Sequence, residues 1–219
     1  MAATTRRDVM HALLDGYGRT YTAEAGIRLK DTPQPLYRLL VLACLLSARV
    51  RADLAVAAAK ELAEAGMRDP RRMAEATWQQ RVDALGRGGY RRYDERTATQ
   101  LGDGAKLAIE RYGGDLRKLR DQAGGYTEEI RRSLQEFPGL GPAGADIFLR
   151  EAQAVWPQAA PFIDGKALQG AEALDLPTAP GALLRLAAGA QPAVLASALV
   201  RVAVDKKAPA AVREAARAA

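Results

Sequence analysis

The reading of this chain turns on the stretch Phe137-Pro138-Gly139-Leu140-Gly141-Pro142. Two glycines permit backbone angles closed to other residues, so the chain can reverse within a few positions. Pro142 suits the first position of a helix. Such a turn leaves N–H groups free at the start of the following helix, where the helix dipole is positive and a phosphate oxygen can dock. Leu140, between the glycines, would anchor the turn in the core. Ala143, Gly144 and Ala145 keep side chains small where a nucleic acid backbone would have to come close. A plain helix-to-helix turn, with Gly and Pro chosen for geometry alone, accounts for the same residues.

Outward from the turn, helix starts and stops are written on both sides. Thr127 caps a helix to about Phe137, a long helix runs from about Asp94 to Tyr112 and is closed by Gly113 and Gly114, and Thr77 with Gln80 forms a capping box. Short helices are expected after Asp69-Pro70 and over 115–120, and another over 52–65. Pro35 opens a helix whose Leu36, Leu39, Leu40, Val41, Leu42, Leu45 and Leu46 cover nearly every side of a helical wheel, which marks a helix buried all round. Thr5 and Asp8 cap a first helix that closes around Gly16 and Gly18. Beyond the turn, helices are predicted over 142–155, 165–174, 180–188, 192–205 and from Pro209 onward. No segment alternates with period two and no internal repeat is present, so the expected fold class is all-α.

Composition agrees with that expectation. Of 219 residues, 48% are hydrophobic but only 5% aromatic, and Ala, Leu and Arg, all strong helix formers, are in excess. Lys and Arg outnumber Asp and Glu by 32 to 26, a net charge of +6 that draws the chain towards polyanions. The one cysteine, Cys44, sits in the apolar run Leu39 to Leu46, so no disulfide or cysteine-ligated cluster can form within the chain. That run is far short of the roughly 20 residues needed to cross a bilayer, and no signal-like segment follows Met1 to Met10; a cytoplasmic, nucleoid-associated address is expected.

The ordered set of Leu45-Leu46-Ser47-Ala48-Arg49, the turn 137–141, the helix after it and Pro161-Phe162-Ile163-Asp164 resembles the helix-hairpin-helix DNA glycosylase superfamily, which includes endonuclease III and the adenine-mismatch glycosylase. The likeness covers about residues 35 to 175. It implies two helical lobes with a cleft between them, one lobe a bundle over 33–142 and the other built from 1–32 and 143–219. It also implies a DNA repair enzyme that hydrolyses the N-glycosidic bond of a damaged or mismatched base in double-stranded DNA, acting as a monomer. Asp164 would be the catalytic carboxylate, stabilising positive charge at C1′ or orienting water after the nucleotide has swung out of the duplex. As the residue before Gly165 and Lys166 at a helix start, Asp164 is equally suited to be an N-cap, and the two roles are compatible.

Departures from the family bear on mechanism. Ala143 stands where strand-cutting relatives place a Schiff-base lysine, so the expected enzyme is monofunctional; Lys166 is either a substitute amine or a solvated surface lysine. Four cluster-binding cysteines near the carboxyl terminus are absent, so no iron-sulfur cluster, metal or other cofactor is expected, and Arg201, Lys206 and Lys207 would meet DNA instead. Arg49 replaces the family's wedge glutamine and would fill the gap left by a flipped nucleotide, bind a phosphate, or remain solvated. Gly139, Leu140, Gly141, Ala143, Gly144, Arg49 and Lys166 thus form the expected DNA-binding set. Tyr90 and Tyr93, with Arg87, Arg91 and Arg92 beside a glycine-rich turn, would line a base pocket or serve as surface cover. Arg131 with Arg132, like Arg71 with Arg72 and Arg117 with Lys118, reads as a solvated face, and His11 has no partner that suggests a role. The rival function is a non-catalytic protein that binds distorted DNA.

Overall fold

The computed structural model describes residues 4–218, and every regular element among them is helical. Contacts divide the chain into two compact units, a split one of Met1–Thr20 with Ala160–Ala219 and a continuous one of Tyr21–Ala159. Helix α1 (Arg6–Tyr17) belongs to the split unit. Helices α2 (Tyr21–Glu24), α3 (Pro33–Ser47), α4 (Ala52–Glu64), α5 (Pro70–Glu75), α6 (Trp78–Arg87), α7 (Asp94–Tyr112), α8 (Leu116–Gln122), α9 (Thr127–Leu134) and α10 (Pro142–Ala152) build the continuous unit. Helices α11 (Gly165–Ala173), α12 (Pro180–Leu186), α13 (Pro192–Val204) and α14 (Ala208–Ala218) complete the split one. Among the described residues no helix is long and apolar enough to cross a membrane.

In the continuous unit α3 is the central helix, packed by α4, α8 and α10. Leu36, Leu39, Leu42 and Leu45 are wholly buried on it, each removing an apolar side chain from water for roughly 1.5–3 kcal/mol. The helix starts at Pro33, earlier than the Pro35 expected, because Pro33 is equally suited to the first turn, where its missing N–H has no partner to lose. Helices α4 and α6 approach so closely at Gly88 that a Cβ there would lie 2.5 Å from the Ala58 Cα. Arg81 is buried under α7, where its guanidinium donates to the carbonyls of Ala98, Met73 and Ala76 and so satisfies the end of α5. Gly102 keeps clear the space that this guanidinium occupies.

The division of the chain differs from the expected boundaries at 33 and 142. Residues 21–32 and 143–159 belong with the bundle, and polar contacts explain why. The buried Glu151 carboxylate on α10 accepts from the Tyr21 and Thr22 N–H groups and the Thr22 hydroxyl, capping α2, a helix the sequence does not announce. The indole of the buried Trp156 donates to Asp31, which also pairs with Arg120. Phe148 and Leu149 of α10 are fully buried, and this helix packs on α3.

Helix α9 begins after Tyr126, with Thr127 inside it rather than capping it, and ends at Leu134 rather than near Phe137. Pro138 disfavours the helical region for the residue before it, so the chain leaves the helix early. In the split unit, Met10 and Leu13 of α1 share a core with Ala167 and Ala171 of α11, Leu195 and Leu199 of α13 and Val212 of α14. There α11 and α13 nearly touch, since a Cβ on Gly170 would fall 1.9 Å from the Leu199 carbonyl oxygen.

Candidate nucleic-acid interface and carboxylate

The turn between α9 and α10 is held from three sides. Phe137 and Leu140 are buried, and the Leu140 N–H donates to the Phe137 carbonyl. The Ser47 hydroxyl at the end of α3 lies 2.7 Å from the Cys44 carbonyl oxygen and 3.2 Å from that of Gly139, within donating reach of both. Arg131 of α9 pairs with Asp146 of α10 at 2.6 Å, so Arg131 fastens the two helices together instead of standing on a solvated face, whereas Arg132 pairs with Glu129 on the surface.

The two glycines of the turn have different roles. Gly139 has φ +82°, in the left-handed region, and a Cβ on it would meet Gln100 Oε1 at 2.7 Å and Cys44 Sγ at 3.2 Å. Gly141 has φ −68°, open to any residue, and a Cβ there would meet nothing. Its side is open to solvent. Gly144 and Ala145 are buried, and a Cβ on Gly144 would fall 2.8 Å from Leu140 Cδ1 and 3.3 Å from Ser47 Cβ. The small residues at 144 and 145 therefore admit Leu140 and the end of α3, and only Ala143 of this trio faces solvent. No side chain caps α10, and the N–H groups of Gly139, Gly141, Ala143 and Gly144 meet no acceptor among the described residues.

Beside Gly139 the continuous unit holds a pocket of about 360 Å³. Arg49, Tyr90 and Tyr93 all line it, so residues far apart in the sequence meet at the turn. Tyr90 is only 1% exposed and forms a wall, its hydroxyl accepting from Thr97; Tyr93 is half-buried, with the Arg92 guanidinium 5.2 Å from its ring centroid. Burial pushes the Cys44 thiol up to about 12 and raises Tyr90, so both stay neutral at pH 7. Arg96, Thr97 and Gln100, not among the residues expected from the sequence, also line the pocket. Their signal is periodicity: with Tyr93 they recur at three, four and seven residues, one face of a helix leaving the glycine-rich turn. Among the described residues neither Arg49 nor Arg96 makes an ion pair.

Asp164 and Lys166 lie in the split unit. Ile163 packs against its core and fixes the approach to α11; Asp164, in extended backbone, is the N-cap, with Oδ1 accepting from the Ala167 N–H at 2.8 Å. Its carboxylate is half-buried. Lys166 is exposed, 3.0 Å from Gln169 Oε1. Arg201 donates to the Arg19 carbonyl, while Lys206 and Lys207 are exposed. His11 pairs with Asp15 on the surface of α1. Among the described residues no group of three or more His, Cys, Asp and Glu side chains is arranged to hold a metal ion. No protein-family model, curated protein or solved structure matches this chain.

Proposed function

We propose that this chain is a monofunctional DNA glycosylase of the helix-hairpin-helix superfamily, acting on a damaged or mismatched base in double-stranded DNA. The observation that carries the DNA-binding part is a surface offering donors without acceptors: the exposed Gly139, Gly141 and Ala143 amides, which meet no acceptor among the described residues, next to a pocket whose only charged lining residues are arginines without ion pairs there. A phosphodiester backbone is the complement of such a surface. The chemistry is assigned to Asp164 by its order after the turn and its place as the N-cap of α11.

In the reaction, the C1′–N bond breaks as water adds to C1′. The water proton passes through the Asp164 carboxylate and the base departs protonated. Ala143 leaves the hairpin without a Schiff-base amine, so the product is an abasic site in an uncut strand. A borohydride-trapped covalent complex with DNA would contradict this. The proposed enzyme needs no cofactor, and the single cysteine cannot supply a four-cysteine cluster.

The N-cap bond to Ala167 permits a clean test. Asp164→Asn keeps an oxygen that can accept from that N–H and so keeps the fold, but removes the charge. Expected are wild-type melting temperature and duplex binding, and no release from any lesion the wild type processes. Full turnover by this variant would remove Asp164 from the mechanism. The same bond favours a second reading, a DNA-binding protein in which Asp164 only caps α11; failure of the wild type to release any base across a broad lesion panel, with duplex binding intact, would select it.

A further inference from the structure

The pocket beside Gly139 brings together two arginines that make no ion pair among the described residues. Arg51, Arg87, Arg111, Arg117, Arg120 and Arg131 of the continuous unit are each compensated by a carboxylate. Another open pocket of this unit, about 420 Å³, mixes Arg72 and Arg87 with Glu75 and Asp83. In the pocket beside Gly139, Arg49 and Arg96 face no acidic lining residue, so the lining carries two uncompensated positive charges. Its wall is neutral, formed by the buried Tyr90 and the Cys44 thiol, and the half-buried Tyr93 ring stands at its side. A volume near 360 Å³ falls at the lower end of the roughly 300–1,000 Å³ typical of small-molecule sites.

An internal phosphodiester brings one negative charge, whereas a terminal phosphomonoester brings about 1.5–2 near pH 7. Two guanidinium groups match the second, and their planar forks take phosphate oxygens in pairs. We infer that this pocket binds a nucleotide through a terminal phosphomonoester, its base against the Tyr93 ring and its phosphate between Arg49 and Arg96. The nucleotide is either a free nucleoside 5′-monophosphate or the 5′-phosphorylated end of a DNA strand at a gap. This inference rests on the DNA-binding reading above and adds a ligand class to it.

The test uses the full chain and two pairs of probes. Calorimetry with deoxyadenosine 5′-monophosphate and with deoxyadenosine should show the phosphate strengthening binding at least about tenfold, the range of charge-assisted hydrogen bonds. Gapped duplexes ending in 5′-phosphate or 5′-hydroxyl test the strand source in the same way. Arg96→Ala should remove the phosphate-dependent part in whichever pair shows it, and Arg49→Gln should weaken it independently. A phosphate effect in the mononucleotide pair alone identifies the free nucleotide as ligand; one in the duplex pair identifies the strand end. No phosphate effect in either pair, or one unchanged in both variants, overturns the inference. Base release is read in parallel: present with no phosphate effect, the pocket assignment falls alone; absent with an Arg96-dependent phosphate effect, the glycosylase reading falls alone.

Discussion

Glycine at 139 and glycine at 141 look equivalent in the sequence and are not. At Gly139 the left-handed backbone angle and the nearby Gln100 and Cys44 atoms leave no room for a side chain. Gly139→Ala should cost about 1–2 kcal/mol from the backbone angle alone, with crowding adding to it, measurable as a lower denaturant midpoint. Gly141→Ala meets neither obstacle and should leave the midpoint within about 0.5 kcal/mol of wild type. Its methyl would stand on the open side of the turn, so under the proposed DNA-binding role duplex affinity should drop while stability holds. An unchanged affinity in Gly141→Ala would remove this turn from the DNA surface. The sequence reading marks both glycines but cannot tell which needs its backbone angle, because that depends on α3 and α7 side chains brought in from more than thirty residues away.

Helix positions were largely legible because their signals are local. The capping boxes Thr5/Asp8 and Thr77/Gln80 and the Asp69-Pro70 start form as their residues require, and Gly113 closes α7 in the left-handed conformation. Helix α2 was not legible, since its cap is Glu151, distant in sequence. Glu151→Ala should therefore cost about 3 kcal/mol or more, as the buried Tyr21 and Thr22 donors lose this acceptor, and Glu151→Gln should cost less because one oxygen still accepts. Thermal melts of the two variants decide this; equal, small losses would mean that the carboxylate does not hold α2. At the start of α8, Arg117 holds the Asp115 carboxyl below the usual carboxylate range. A depressed folded-state value gives stability that is complete above the unfolded value and lost as pH falls through the folded one. Asp115→Asn should thus melt below wild type at pH 7, and the gap should close as pH drops below about 4.

For the molecule as a whole, the net charge of +6 says less than where compensation fails. Paired arginines such as Arg87, Arg117 and Arg131 contribute little to a distant field, whereas Arg49 and Arg96 beside the turn make no ion pair among the described residues. The gathering of Arg49, Tyr90, Tyr93 and Gly139 around one pocket was half legible, since the sequence marks each residue but not their meeting, which depends on how α3, α6 and α7 pack. If duplex DNA seats on that face, counterion release makes affinity fall steeply with salt, each neutralised phosphate contributing about 0.9 to the slope of log affinity against log salt. Arg49→Ala and Arg96→Ala should each flatten that slope by about one, whereas Arg117→Ala, whose charge is already answered by Asp115, should leave it unchanged. Fluorescence anisotropy with one duplex across a salt series measures all three. Equal slopes in all variants would mean that the chain meets DNA through another surface, and a flatter slope in Arg117→Ala alone would move the interface to the α8 side of the unit.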